Sequence, residues 1–396
     1  MSKYLLMHKD VEVAVLLFTE DGHLSDVCDV LYPSHLPPSA EKEKDSLGIW
    51  WENRAVPKSR KDIRKLLREQ QIRTTGSWLL DNLALSLYDC YWVKPEKASL
   101  SWKDVNLYDN TFPPLKAGGF LTDYEENTEK HLDFTPDAST GGELPKWWII
   151  ENGKRYLIKG NRDGNSIQSR NEILASSIHF LQGFPHVRYE LIPYVYEGLR
   201  YTGCRCETFS SSSLEFIPAW NLITRQKAAE NEPYRQIFIR RCRDNGFSED
   251  SIMHFLDYMA ITDFLISNRD RHFNNFGLMR NPDTLEYVSF APLFDSGNSM
   301  MYYYLRQCSM VNSLREKTTG FYTSWKTTME HVTDFNAVDI SRLPDEKTIE
   351  EIYPEKELGN AFSTSLRNLF LDHVGFLDGL RSGKSFYSLQ KMYIEQ

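Results

Sequence analysis

Residues 258–277, YMAITDFLISNRDRHFNNFG, carry an apolar, helix-spaced run straight into two arginines, an aspartate, a histidine and three asparagines. Few folds tolerate such a stretch. The apolar part must be a buried helix, and the polar part follows it immediately, with Asp270, His272 and Asn275 spaced D-x-H-x-x-N. Taken alone it reads equally well as a capped helix end with an Asx turn, because Asp and Asn bond their own backbone readily. What surrounds it in the sequence decides between the two.

The chain of 396 residues exceeds one ordinary domain, so two lobes are expected. No apolar run approaches the roughly 18 residues of a membrane span, and the start MSKYLLMHKDVEV has no signal-peptide pattern. A cytoplasmic protein is the expectation. The six cysteines are scattered, and Cys204-x-Cys206 has neither zinc spacing nor a second pair, so free thiols are expected. A net charge of −9 argues against coating nucleic acid with the whole surface. The exception is the basic text of residues 54–73, which as a helix puts Lys61, Arg64, Lys65 and Arg68 on one face. That face is read as solvated or facing the acidic run 123–130, with DNA or an acidic partner as the alternative.

Four segments follow from the patterning. Residues 1–95 form an accessory region of short strands, with an Asp21-Gly22 turn, and then helices over SLGIWWENR, KSRKDIRKLLREQQ and SWLLDNLALSLYDCYW. Residues 96–134, with their Pro and Gly pairs and acidic run, read as a linker. Residues 135–215 read as a β-rich small lobe: a glycine turn at Ser139-Thr140-Gly141-Gly142, a strand pair turning at Asn152-Gly153 and ending on Lys159, a helix stopped by Gly183, and two further strands. Residues 216–396 read as mostly helical, with a hairpin turning at Asn281-Pro282-Asp283 and ending at Asp295.

A strand-end lysine, a helical glutamate, D-x-H-x-x-N and then Asp-x-Gly is the order found in protein kinases. Transfer of a γ-phosphoryl group asks mainly for positioning and charge neutralisation. On that reading Thr140, Gly141 and Gly142 bring backbone N–H groups to phosphates, with Lys146 adding charge. Lys159 contacts the α- and β-phosphates of ATP, and Glu172 holds it by an ion pair. Asp270 orients or deprotonates the attacking hydroxyl. Asn275 and Asp295 offer oxygens to Mg²⁺, with Gly297 allowing a tight turn beside them. His272 and Asn268 read as loop stabilisers, and the hydroxyls of Ser139 and Thr140 as structural rather than phosphorylated.

The same residues resemble the HipA-like serine/threonine kinases. The resemblance rests on Asn268, Asp270, His272 and Asn275, on FAPLFDSG (290–297), on YLIKG (156–160), on Asn171-Glu172 opening a helix, and more weakly on TGGELPK (140–146), and it spans roughly residues 135–380. It implies an α+β, bilobal, protein-kinase-like fold and an ATP- and Mg²⁺-dependent serine/threonine protein kinase, often the toxin of a toxin–antitoxin pair with a small antitoxin or DNA-binding partner. It makes Asp270 and Lys159 catalytic, Asn275 and Asp295 the metal ligands, and Glu207, Thr208 and Phe209 the hinge beside adenine. His272 and Glu172 fall within the nucleotide site. Thr140 and Glu143 stand where the family has Ser and Gln, and Asp-Ser-Gly replaces its usual Asp-Val or Asp-Ile. An acidic Glu143 is therefore expected to turn away from phosphates or face the metal. D-R-H-x-x-N also occurs in lipid kinases, so a lipid or small-molecule kinase is the alternative, together with a silent kinase fold that only binds.

Overall fold

The computed structural model describes residues 1–40, 46–60, 63–114, 120–121, 132–161, 165–223 and 232–395. The chain divides into two compact units that interleave along the sequence. The first comprises Met1–Gly164, Ile192–Ile217 and Leu278–Ser289; the second comprises Asn165–Leu191, Pro218–Gly277 and Phe290–Gln396.

Three sheets build the first unit. Strands β1 (Ser2–His8), β2 (Val11–Phe18), β3 (Leu24–Val30) and β4 (Tyr91–Pro95) form one sheet in the order β3-β2-β1-β4, with the β1–β2, β2–β3 and β1–β4 pairs antiparallel. Its apolar face, with Leu6, Val13, Leu16 and Phe18, packs on Trp50 and Trp51 of the helix Ser46–Arg54 and on Leu79 of the helix Thr75–Asp81. The Asp21-Gly22 turn needs its glycine twice over. Gly22 has φ +73°, and a Cβ there would lie 2.1 Å from the backbone carbon of Gly76.

The second sheet orders β5 (Phe120–Leu121), β8 (Tyr189–Tyr196), β9 (Leu199–Glu207), β7 (Lys154–Lys159) and β6 (Lys146–Glu151) side by side. The third holds β10 (Glu215–Pro218), β11 (Gly277–Arg280) and β12 (Tyr287–Phe290). A buried ionic cluster ties the first and third sheets together. Glu215 accepts from Arg280 Nε at 2.7 Å and from His8 Nε2 at 3.2 Å, while Arg280 Nη2 donates to the Tyr91 hydroxyl at 2.8 Å. Burial pushes the Glu215 carboxyl up, but Arg280 and His8 more than offset this and hold it at about 2.

The second unit is helical. Its main helices are Ile167–Gln182, Tyr234–Asp244, Glu249–Leu265 and Asn360–Arg381. Gly183, with φ +71°, caps the first as its sequence indicates, and Ser248 caps the third by accepting from the Ser251 N–H. No described helix is long and apolar enough to cross a membrane. All six cysteines are free thiols.

Several expectations need correction. The helix expected over SWLLDNLALSLYDCYW (77–92) stops at Asp81, because Leu83 and Ala84 adopt left-handed φ of 53° and 52°. The hairpin strand ends at Phe290, five residues short of Asp295. The basic text of residues 54–73 is no continuous helix: one helix ends at Arg54 and the next spans Ile63–Glu69. Two of its cations are not surface charges. Arg54 forms a forked pair with Asp89 at 2.7 and 2.8 Å, and Arg60 is buried. Lys61, the Gly118-Gly119 pair and the acidic run 123–130 lie outside the described residues.

Candidate active site

In the first unit the glycine turn is held from one side. Arg60 donates through Nε to the Gly142 carbonyl at 3.0 Å, and through Nη2 to the carbonyls of Gly141 at 2.9 Å and of Thr140. Lys146 Nζ adds a bond to the Gly141 carbonyl at 3.3 Å. A trans peptide sets its N–H opposite its C=O, so the N–H groups of Gly141 and Gly142 face away from Arg60. Both glycines are exposed, and among the described residues neither N–H donates a hydrogen bond. Gly142 has φ +87°, and a Cβ there would sit 2.4 Å from Lys146 Nζ, so the turn requires glycine. Glu143 is exposed.

The loop hydroxyls are internal. Ser139 Oγ donates to the carbonyls of Leu85 and Pro136, and Thr140 Oγ1 donates to the Pro136 carbonyl and accepts from Trp148 Nε1. Both residues are buried.

Lys146 and Lys159 are direct cross-strand partners in the β6–β7 pair, and both are buried. Of the residues expected beside adenine, Glu207 is exposed and pairs with Lys154 at 2.8 Å. The Thr208 N–H donates to the Arg155 carbonyl, and Phe209 packs edge-on against Phe216.

In the second unit the helix Glu249–Leu265 ends into Ser267, whose φ of +52° turns the chain out of the helix. Asn268 then doubles back. Its backbone N–H donates to the Asp263 carbonyl at 2.8 Å, its amide donates to Asp263 Oδ1, and its own Oδ1 accepts the Asp270 N–H at 3.2 Å. His272 is bonded locally, its Nδ1 accepting from the Asn274 N–H at 3.3 Å. Asn275 Nδ2 donates to the Asp270 carbonyl at 3.1 Å. Among the described residues its Oδ1 accepts no hydrogen bond, so that oxygen suits a hard cation.

Arg271, to which the sequence reading gave no role, is the hub. Its Nε and Nη2 fork onto Asp263 at 3.0 and 2.9 Å, Nη1 donates to the carbonyls of Phe294 and Asn275, and Nη2 also reaches Ser296 Oγ at 3.0 Å. Burial opposes its charge. Asp263, Asp295 and Glu172 outweigh the burial and raise its pKa above the ordinary arginine value. One side chain thus joins the Asp270 loop to the segment carrying Asp295. The signal that could have revealed it was an aspartate, Asp263, inside an otherwise apolar helical run.

Asp295 has a left-handed φ of +59°, a position non-glycine residues seldom take and one that functional sites favour. The left-handed backbone is therefore at Asp295 rather than at Gly297. Gly297 serves close approach, since a Cβ there would meet the Gln168 carbonyl at 3.2 Å and Glu172 Oε1 at 3.4 Å. Glu172 Oε2 accepts the Ser296 N–H at 2.8 Å, and Asn171 Nδ2 donates to the carbonyls of Gly297 and Ser299. Asn298 Nδ2 donates to Asp270 Oδ2 at 2.5 Å. Among the described residues no cluster of three or more His, Cys, Asp or Glu is placed to hold a metal by itself.

No protein-family model matches the chain, and no curated sequence matches it. Solved structures do. HipA of Shewanella oneidensis MR-1, solved as a toxin–antitoxin complex with HipB and operator DNA, aligns at TM-score 0.55 and 12% identity over 96% of this chain and 99% of that one. The Helicobacter pylori proinflammatory kinase CtkA aligns at TM-score 0.47 and 16% identity over 65% of this chain and 93% of its own. The likeness to HipA shows the fold: this chain has an α+β, HipA-like kinase fold.

Proposed function

We propose that the protein is an ATP- and Mg²⁺-dependent kinase that transfers the γ-phosphoryl group to a serine or threonine hydroxyl of a protein. The observation that carries this reading is the Arg271 hub, which fixes Asp270, Asn275 and the Asp295 segment on one buried frame. Phosphoryl transfer is catalysed by such fixed positioning, with little covalent work for the protein. Asp270 orients the acceptor hydroxyl and takes its proton. Asn275 through Oδ1, and Asp295, are the residues that would hold Mg²⁺, which supplies charge neutralisation on the phosphates when bound. In the first unit Lys146, Lys159 and the outward N–H groups of the glycine turn receive the phosphates, and Glu207 to Phe209 lie along the adenine.

A protein acceptor is preferred to a lipid because the chain is acidic overall, which disfavours docking on an anionic lipid surface. The HipA neighbour was solved with an antitoxin and DNA, so we extend the proposal to a small DNA-binding partner that neutralises a toxin. Incubation with γ-labelled ATP and Mg²⁺, alone and with cell lysate, tests the acceptor class. Label on this chain or on a discrete lysate protein is expected. Label confined to lipid or small-molecule fractions would overturn the protein-kinase reading.

A further inference from the structure

The accessory region reaches the carbonyls of the glycine turn through the side chain of Arg60. Arg60 lies some eighty residues before the turn in sequence, yet it is buried and gives its donors to three successive carbonyls, those of Thr140, Gly141 and Gly142. The contact is not incidental. The segment bearing it is pinned to the base of the turn by a bond from the Val56 N–H to the Ala138 carbonyl at 3.0 Å, and Ala138 packs in one apolar cluster with Val56, Ile63, Leu66 and Trp78.

Gathering three carbonyl oxygens on one cation has two electrostatic consequences. Their partial negative charges are neutralised at the point where a polyphosphate approaches, and the peptide N–H groups of Gly141 and Gly142 are left on the outer, exposed side. Without the guanidinium, those carbonyls can rotate outward and repel phosphate, since glycine backbones turn over at little steric cost. A lysine cannot replace it fully, because one ammonium does not match the planar fork that Nε and Nη2 present together.

We infer that Arg60 is a positioning residue for the phosphate subsite: the accessory region sets the glycine turn in its phosphate-receiving orientation through this one guanidinium. The inference rests on the nucleotide reading proposed above. It assigns the accessory region a part in nucleotide binding, and it takes Arg60 out of the basic cluster as a surface charge.

The test measures binding of three probes, adenosine, ATP with Mg²⁺ and inorganic tripolyphosphate, to the full chain and to its Arg60→Gln and Arg60→Lys variants. Loss of hydrogen bonds to a charged group is expected to weaken ATP and tripolyphosphate by about tenfold or more in Arg60→Gln, with a smaller loss in Arg60→Lys. Adenosine, which does not touch the turn, should bind all three proteins alike. A general loss of structure would weaken every probe together, so this split is not produced by a merely structural role. Should the Gln variant lose cooperative unfolding, the Lys variant carries the comparison. Wild type binding adenosine and ATP equally would overturn the nucleotide reading itself. Wild type preferring ATP, with both variants preferring it to the same degree, would overturn the role of Arg60 alone.

Discussion

Replacing Arg271 by methionine tests the frame on which the candidate site depends. The side chain is 7% exposed, as is its partner Asp263, so the substitution strands a carboxylate that has little access to water. Breaking a buried pair from one side costs about 3–5 kcal/mol, mostly the penalty of the charge left behind. The carbonyls of Phe294 and Asn275 also lose a donor, at about 1–3 kcal/mol for each group that stays dry. These terms overlap, because Asp263 keeps its bond from the Asn268 amide. The expected total is about 4 kcal/mol. Urea unfolding of wild type, Arg271→Met, Asp263→Leu and the double variant gives the coupling. The double variant should recover about 2 kcal/mol or more relative to the sum of the singles, since no charge is then stranded. An Arg271→Met cost below about 1 kcal/mol, or singles that simply add, would refute the reasoning.

Further predictions concern stability at other points of the frame. Gly320 has φ +105°, and a Cβ there would lie 2.8 Å from the Arg271 carbonyl, while Thr319 bonds the Arg269 carbonyl beside it. Gly320→Ala should therefore cost about 1–3 kcal/mol in denaturant melts and displace the Asp270 loop, lowering turnover. The Glu215 carboxyl is held at about 2 in the folded chain by Arg280 and His8 against the cost of burial. Its contribution is full above the unfolded value near 4.5 and is lost as pH falls toward 2. Wild type should lose about 3 kcal/mol of stability across that window through this group, and Glu215→Gln should lack that part of the slope. Asn171→Asp sets a carboxylate against the Gly297 and Ser299 carbonyls in a fully buried position, so urea unfolding should show a loss of several kcal/mol.

Local patterning made much of this molecule legible. The strands β1 and β2, the helix stopped by Gly183 and the polar loop after the helix Glu249–Leu265 follow from periodicity and capping, which depend on neighbours in sequence. What was not legible depends on partners far apart in the chain. The cluster of His8, Glu215 and Arg280 draws on three distant segments, and nothing near any of them in sequence announces the others. Arg54 and Arg60 read as members of a basic run because charge counting treats every cation as solvated, yet each is itself buried, Arg54 bonded to Asp89 and Arg60 to the Gly141 carbonyl. The left-handed backbone of Asp295 was hidden behind Gly297, the residue that usually takes such geometry. Arg271 carries no signal in motif spacing, because its bonds to Asp263, Phe294 and Ser296 join segments that only the fold brings together.

The most direct test of the central claim is the rate of γ-phosphoryl transfer from ATP in the presence of Mg²⁺, measured for wild type, Asp270→Asn and Asp295→Asn. The account predicts transfer by the wild type that chelation of Mg²⁺ abolishes, with each variant slowed by at least about 100-fold while its melting temperature stays near that of the wild type. Transfer that survives both substitutions, or a wild type that binds ATP and Mg²⁺ yet transfers nothing to any acceptor, would contradict it.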